Sequence, residues 1–450
     1  MDHKTVINNP WISKEERLDA LKAMEQANPQ KHVKTGEINN HIHTIYSFSP
    51  YTPSMAALEA RNAGLEAAGS VDHDSIAAAE ELTAAAAELG IGACVGFEVR
   101  VSFKAGADGR EGPFAGRKIN NPDSAGIAYM TVQGVPAPRI NEVRAFLDPI
   151  RRERLERTRE MVRGANALLA GAGLEEIDFK NDIEDRSKYA EGGEITERHL
   201  LQAAAHKLIK KYGRGPSLTE GLSKKFGVNP PPKIQERLSD PGNPHYLFDL
   251  LGTLKLGFLS KIFIQPGERE CIPAEKVCAF ARSIGAIPAY AYLGDVGESP
   301  TGDKRAEKFE DEFIEPLFDE LARLGYQAVT YMPPRNTPGQ IRRIQRLCAE
   351  RGFMEISGVD INSSRQSFNC PEVLEPGCRH LVDTTWALIA HERLSSADSR
   401  LGLFSAENPL AGKPLAERLA FYAAAGRNLD LKDPGASGQK TAEDLLRGKT

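Results

Sequence analysis

The chain has 450 residues, of which 41% are hydrophobic and 26% are charged, and its formal net charge is −5. This composition is typical of a folded globular protein, and it excludes the basic field by which nucleic-acid-binding proteins attract their partners. No apolar run reaches the length of about 18 residues that a membrane span needs, so we expect no membrane partner. A basic run over 151–163 is predicted to be a solvated helix face.

The amino terminus and the cysteines bear on localisation. The first four residues, Met1-Asp2-His3-Lys4, lack the apolar segment of a signal peptide. The six cysteines form no C-x-x-C pair, and a chain of this length can build a core without disulfides. We therefore expect a cytoplasmic protein with reduced thiols, and the sequence is silent on its oligomeric state.

The first hundred residues are predicted to alternate between strands and helices. A capping box that begins at Ser13 indicates an N-terminal helix within 8–30, which Pro29 ends. The alternating elements that follow are strands over 38–43, 65–71 and 93–101, with helices over 54–63 and 76–89 between them. Because helices connect successive strands, the strands are expected to pair in parallel.

A helical region then interrupts this alternation. A strand over 127–133 is followed by helices over 142–169 and 196–211, with further helical pieces to about residue 256. Strands return over 287–293, 327–332 and 353–360. The whole pattern predicts an α/β protein, a distorted TIM-like (β/α) barrel of seven or eight strands with an inserted helical subdomain.

These elements divide the chain into five predicted parts. They are an N-terminal helical arm (1–36), the first part of the barrel (37–139), a helical insertion (140–256), the second part of the barrel (257–394) and a C-terminal tail (395–450). The tail is expected to contain one helix, around 415–425, and a flexible end after Pro434.

Side chains that bind metal ions occur at the predicted ends of several strands. His41 and His43 end the first strand, where residues i and i+2 point to the same side. His73 follows the second strand, Glu98 lies near the end of the third, and Asp360 lies near the end of the last. Taken alone, each of these residues could equally be an ordinary polar side chain that binds no metal. The carboxyl ends of barrel strands form one rim, however, which would bring the residues together. Imidazole and carboxylate groups gathered there would suit Mn, Zn or Fe.

This ligand set suggests a reaction. A carboxylate such as Glu98 can bridge two ions, and ions about 3.5–4 Å apart suit phosphate-ester hydrolysis through a metal-bound hydroxide. We therefore expect one or two divalent ions and a phosphorylated small molecule as substrate. In this hypothesis Asp72 or His199 transfers protons. Arg365, which follows the last strand, is a candidate phosphate ligand because a guanidinium can bind phosphate with two hydrogen bonds.

The order and spacing of these residues resemble the polymerase and histidinol phosphatase (PHP) superfamily of metal-dependent phosphoesterases. The segment Asn39-Asn40-His41-Ile42-His43-Thr44 resembles its first motif, D-x-H-x-H-[ST], and Val71-Asp72-His73-Asp74 resembles its second. Gly96-Phe97-Glu98 resembles its third motif, and Ser357-Gly358-Val359-Asp360-Ile361-Asn362 its closing G-S-D-x-H motif. The resemblance covers about residues 36–365 and implies the PHP barrel, bound divalent ions and a phosphatase-type hydrolase.

Three positions depart from the family pattern. Asn39 replaces the aspartate of the first motif, Tyr292 replaces the histidine of an A-H-P motif, and Asn362 replaces the closing histidine. The resemblance therefore implies one or two ions rather than three, with Tyr292 assigned to substrate binding. Asp295 and Glu298 are candidates to compensate for the lost histidine. The losses leave open an alternative, a catalytically altered protein that binds or senses a ligand on the same barrel.

Overall fold

The computed structural model describes residues 2–27, 32–106, 109–297 and 307–447. Seven strands form one sheet, in which they lie side by side in the order of the chain. They are β1 (Ile38–Ile42), β2 (Ala67–His73), β3 (Gly92–Ser102), β4 (Ile127–Gln133), β5 (Ile287–Ala291), β6 (Ala328–Tyr331) and β7 (Met354–Ser357). β4 is antiparallel to both of its neighbours, and the other pairs are parallel.

The sheet closes on itself between β1 and the chain that follows β7. His43 N donates to Ile361 O at 2.9 Å, and Ile361 N donates to His41 O at 3.0 Å. A Cβ added to Gly358 would lie 2.6 Å from His41 N, so this close approach requires a glycine. The prediction of a distorted α/β barrel is therefore confirmed, with seven strands in the sheet.

The described residues form fifteen α-helices, which are packed around and beside this sheet. They are α1 (His3–Ile7), α2 (Lys14–Ala27), α3 (Pro53–Asn62), α4 (Ala79–Leu89), α5 (Ile140–Gly171), α6 (Glu197–Tyr212), α7 (Pro216–Gly221), α8 (Pro232–Ser239), α9 (Tyr246–Gly257), α10 (Ala274–Ser283), α11 (Ile314–Leu324), α12 (Pro338–Arg351), α13 (His380–Ala397), α14 (Leu415–Arg427) and α15 (Pro434–Leu446). Within the described ranges, none of them combines the length and the apolar character that crossing a membrane requires.

The N-terminal helix begins where its capping box indicates. Ser13 Oγ accepts from Glu16 N at 3.2 Å, and Glu16 Oε2 accepts from Ser13 N at 2.9 Å, so α2 starts at Lys14. The predicted end at Pro29 lies outside the described residues. A buried two-armed ion pair between Arg17 and Glu81 holds α2 against α4. Removing either partner would leave an unpaired buried charge, which costs roughly 3–5 kcal/mol.

Three hydrophobic clusters make up the interior. The first fills the barrel and the helices that surround it. The second consists of buried residues between Met161 and Ile262 together with Phe48 from the barrel, so the helical region has its own core. The third packs α13, α14 and α15 against strands of the sheet. The five predicted domain boundaries stay predictions.

The C-terminal region differs from its prediction, because a second helix occupies the segment expected to be flexible. Pro434 lies in the first turn of α15, where proline is favoured since the missing N–H needs no partner. Asp433 caps the helix by accepting from Ala436 N at 3.1 Å. Ala442 and Leu445 are buried in the third cluster, which holds the helix in place. The glycines of the segment concealed this periodicity.

Candidate metal centre

The structure brings five of the predicted residues together at one end of the barrel. His41 and His43 lie at the end of β1, and His73 is the last residue of β2. Glu98 is the register partner of His73 on β3, and Asp360 lies three residues after β7. The potential ligand atoms form two groups that share His43, and within each group they lie within 4.8 Å of one another.

The separations between these atoms fit donors arranged around a cation. His43 Nε2 lies 3.4 Å from Asp360 Oδ1, and His41 Nε2 lies 3.6 Å from Glu98 Oε1. Both distances exceed the 2.7–3.2 Å of an ordinary N–H···O hydrogen bond. Donors that each lie about 2 Å from a common ion are expected roughly 3–3.5 Å apart. His73 Nδ1 and Glu98 Oε2 are closer, at 2.7 Å, and make a direct contact.

Burial sets the protonation of the centre. Burial, reinforced by the neighbouring His73, lowers the pKa of His43 to about 3. Burial also lowers the pKa of His73 to about 3. Both rings are therefore neutral at pH 7, which is the form that binds metal ions. Burial raises the pKa of Glu98.

Asp360 retains its charge. Burial alone would raise its pKa, but three histidines (His43, His41 and His73) and Arg198 outweigh that effect and hold it at about 2. Neutral imidazoles beside a carboxylate are the donor set of Mn, Zn and Fe sites, so these residues fit a divalent cation.

Asp72 lies behind the centre and supports it. Its carboxylate accepts from Thr44 N, Thr44 Oγ1 and Ser47 Oγ, each at 2.6 Å. Ser47 Oγ in turn lies 3.2 Å from His43 Nδ1. This chain of contacts fixes the orientation of the His43 ring so that Nε2 faces the cluster. Asp72 is fully buried and does not line the cavity described next, so its place differs from that expected of a proton carrier.

The centre forms one side of a cavity of 250 Å³. Arg198, from the first turn of α6, also lines it, and its Nη1 donates to Asn362 O at 3.1 Å. Asn362 Nδ2 donates to Asp360 Oδ1 at 2.7 Å. Asn362 therefore orients a candidate ligand. Sequence reasoning did not select Arg198. The available signal was its place just after the N-cap Thr196, because helix N-termini face anions.

Two of the other predicted site residues lie away from the cavity. Arg365 forms an ion pair with Asp249, with Nη2 and Oδ2 2.6 Å apart, and does not line the cavity. His199 Nδ1 accepts from Thr196 N at 3.0 Å and completes the capping box of α6. The His199 ring packs edge-on against Phe48, with 4.9 Å between centroids.

Tyr292 does line the cavity, but its hydroxyl is occupied. It donates to Asp311 Oδ1 at 2.5 Å, and burial together with this bond raises the pKa of Tyr292, so the phenol is neutral. Asp295 does not line the cavity and accepts from Phe309 N at 2.6 Å, which leaves it no place among the ligands. Glu298 lies outside the described residues.

A buried ion network forms a further wall of the cavity. Arg154, on α5, donates to Asp74 Oδ2 at 2.7 Å and to Glu197 Oε2 at 2.9 Å. Arg157 donates to Glu270 Oε2 at 2.6 Å. The prediction that 151–163 is a solvated helix face is wrong for these two arginines, which are buried. A charge run gives no sign that acidic partners from three other segments will cover it.

Comparisons with known proteins add little to this geometry. No family model matches the chain, and no curated protein matches it. Among solved structures, an amidohydrolase from Chromobacterium violaceum with bound sulfate and no metal is 20% identical, with a TM-score of 0.46. That similarity covers 77% of this chain and 95% of the other. A predicted metal-dependent phosphoesterase from Bifidobacterium adolescentis is 18% identical, with a TM-score of 0.47, covering 76% and 96%.

Proposed function

We propose that this protein is a metal-dependent phosphoesterase of the PHP type that hydrolyses the phosphate ester of a small molecule. The observation that carries the proposal is the convergence of three histidines and two carboxylates on one cavity, with the imidazoles of His43 and His73 neutral at pH 7. His41, His43 and Asp360 would hold one divalent ion. His73 and Glu98 would serve a neighbouring position, with Glu98 within 4.0 Å of His43.

The chemistry that such ions supply when bound is the polarisation of phosphoryl oxygens and a lowered pKa of water. The chain's own contribution begins with Arg198. Its single side-chain hydrogen bond among the described residues goes to Asn362 O, so other N–H groups of its guanidinium remain for a phosphate. Burial lowers the pKa of Arg198. An arginine nevertheless stays charged at neutral pH, because its ordinary pKa lies above 12.

Tyr129 is the second residue that we place on the substrate. Its ring lies 5.9 Å from that of His73, and it lines the cavity. Burial raises the pKa of Tyr129, so its hydroxyl is a neutral donor that can give a hydrogen bond to the phosphate or to the ester oxygen. Unlike Tyr292, it makes no side-chain hydrogen bond to another described residue. These contacts would position the ester against the metal-binding side chains.

The test combines elemental analysis with a phosphatase screen. We expect the isolated protein to contain one or two Mn, Zn or Fe ions per chain and to hydrolyse an aryl phosphate when supplied with metal. His41→Ala/Glu98→Ala should lose both properties. His206→Ala is a matched control, because His206 is an exposed histidine on α6. Unchanged metal content and hydrolysis in the double variant would refute the proposal. Bound metal without turnover across a panel of esters would favour the ligand-binding alternative.

A further inference from the structure

We infer that the organic group of the substrate is apolar and that it lies against Phe48, Leu259 and Phe263. This inference rests on the proposed function, since it concerns the ester that would occupy the same cavity. It concerns the part of the cavity that neither the metal-binding side chains nor Arg198 occupies.

The wall consists of residues from the core of the helical region. Phe48, Leu201 and Leu259 belong to the second hydrophobic cluster, and Phe263 packs against it. All four also line the cavity. The cavity is therefore lined by two chemically different sets of side chains, one of imidazoles, carboxylates and a guanidinium and one of hydrocarbon. A ligand that covered only the first set would leave the apolar set facing water.

Most other polar groups on the cavity wall already have partners within the protein. Asn120 uses its amide in three hydrogen bonds, to Tyr129 N, Tyr129 O and Ala291 O. The hydroxyls of Tyr292 and Tyr331 donate to Asp311 and Glu355. The N–H and O–H donors of these side chains are already used, so the side chains could bind the hydroxyls of a sugar only as acceptors.

Three charged members of the wall are paired as well. Arg100, Arg154 and Glu197 bind one another or other members of the buried network. Polar atoms of a ligand placed against the hydrocarbon side chains would be buried without partners, which costs roughly 1–3 kcal/mol for each group. An apolar group carries no such cost. The cavity therefore favours an apolar organic group over a polyhydroxylated one.

The backbone of Phe48 supports a specific use of its ring. Its φ is +77°, in the left-handed region that glycine adopts freely and a bulky residue does not. Such strain costs about 1–3 kcal/mol and persists only where the surroundings impose it. The preceding Ser47 is fixed by its hydrogen bond to Asp72, and the Phe48 ring is held edge-on against His199 and Phe248. The ring is thereby placed between the metal-binding side and the helical core.

The experiment compares ligands that differ only in their organic group. Benzylphosphonate and methylphosphonate, which cannot be hydrolysed as esters, are titrated calorimetrically into the metal-supplemented full-length protein. We expect benzylphosphonate to bind roughly 10- to 100-fold more tightly, as burial of a ring-sized apolar group predicts. Leu259→Ala should reduce this ratio several-fold. Leu256→Ala is the matched control, because Leu256 is 62% exposed and lies outside the cavity.

A second variant separates the ring of Phe48 from its backbone. Phe48→Gly removes the ring and places at this position the residue that prefers its φ, so a loss of ligand preference there cannot come from added backbone strain. Equal affinity for the two phosphonates, no binding of either, or equal effects of Leu259→Ala and Leu256→Ala would each overturn the inference.

Hydrolysis distinguishes this failure from that of the proposed function. Benzyl phosphate and ethyl phosphate both release an alcohol that is a poor leaving group, so a difference in their kcat/KM values reports on the organic group. Similar kcat/KM values for the two, with metal-dependent turnover, would leave the phosphoesterase standing and refute the apolar subsite. Absence of both metal and turnover would refute the proposed function, whereas a retained preference for benzylphosphonate would still support the subsite.

Discussion

Arg365 and Asp249 form a bidentate ion pair that joins the loop after β7 to α9. Nε lies 2.7 Å from Oδ1, and Nη2 lies 2.6 Å from Oδ2. Arg365 Nη2 also donates to Asn243 Oδ1 at 3.2 Å, and His245 Nδ1 lies 2.8 Å from Ser364 Oγ. The segment that follows Asp360 is therefore tied to the helical region that covers the cavity.

Replacement of Arg365 tests this structural role against the phosphate-binding role expected from the sequence. The Asp249 side chain is only 4% exposed, so Arg365→Ala leaves a buried carboxylate with fewer partners. We expect the free energy of unfolding to fall by about 1–3 kcal/mol, measured by urea denaturation. Arg365→Lys should restore it only in part, because an ammonium cannot form both bonds. A raised KM for substrate with unchanged stability would show instead that Arg365 binds phosphate.

Asp72 offers a test of how the centre is supported. Asp72→Asn keeps the shape of the side chain but places an amide where hydroxyl and backbone donors now point. The orientation of His43 through Ser47 should loosen, and we expect metal affinity to fall about 10- to 100-fold, measured by competition with a chelator. A change in the pH–rate profile at unchanged metal affinity would favour the proton-transfer role instead.

The two tyrosines of the cavity make a matched pair. Tyr129→Phe should lower kcat/KM by about 10-fold or more and leave stability nearly unchanged, because its hydroxyl is the one available to substrate. Tyr292→Phe should lower the free energy of unfolding by about 1 kcal/mol, because it breaks the bond to Asp311. Kinetics and urea denaturation of both variants decide the assignment. The reverse pattern would return Tyr292 to the substrate-binding role expected from the sequence.

Glu392 on α13 makes stability depend on pH. It is buried and accepts from Val95 N at 2.7 Å, and burial raises its pKa from 4.5 to about 7. Between these values the folded protein keeps a proton that the unfolded chain releases, so this group makes the free energy of unfolding fall as pH rises. Above about pH 7 Glu392 is ionised in the folded protein as well, and its burial then lowers the free energy of unfolding by its full amount, at most about 3 kcal/mol.

Glu392→Gln should remove this dependence while keeping an oxygen that accepts from Val95 N. We expect the variant to gain stability relative to the wild type between pH 5 and pH 8, as measured by urea denaturation at each pH. Other groups titrate in the same range, but they are common to both proteins and cancel in the difference. A difference that stays constant from pH 5 to pH 8 would contradict the raised pKa.

The strands and the candidate ligands were predictable because both depend on local patterns. The strands 127–133 and 287–293 alternate with helices or turns, and His41 and His43 share a face through the period of two residues. The antiparallel direction of β4 was not predictable, because the long connections on either side of this strand carry no signal of its direction. Nor was the pairing of Arg365 with Asp249, since the two residues are far apart in the chain and each also fits an exposed charge.

The interior of the cavity shows the same limit. Arg198 and Phe48 line the cavity only because the helical region folds back over the barrel rim. No periodicity indicates that one helical turn will face Asp360, or that a phenylalanine will adopt a left-handed backbone. Contacts between segments more than a hundred residues apart decide both. The sequence could therefore locate the candidate ligands but could not identify the side chains that line the rest of the cavity.

The most direct measurement is anomalous X-ray diffraction from crystals supplied with Mn or Zn, collected at the absorption edge of the metal. We expect a peak bounded by the side chains of His41, His43 and Asp360, and a second peak, if a second ion binds, beside His73 and Glu98. Crystals of His41→Ala/Glu98→Ala should lose the density. A cavity without an anomalous peak in the wild-type protein, or a peak held by other residues, would contradict the assignment of the metal centre.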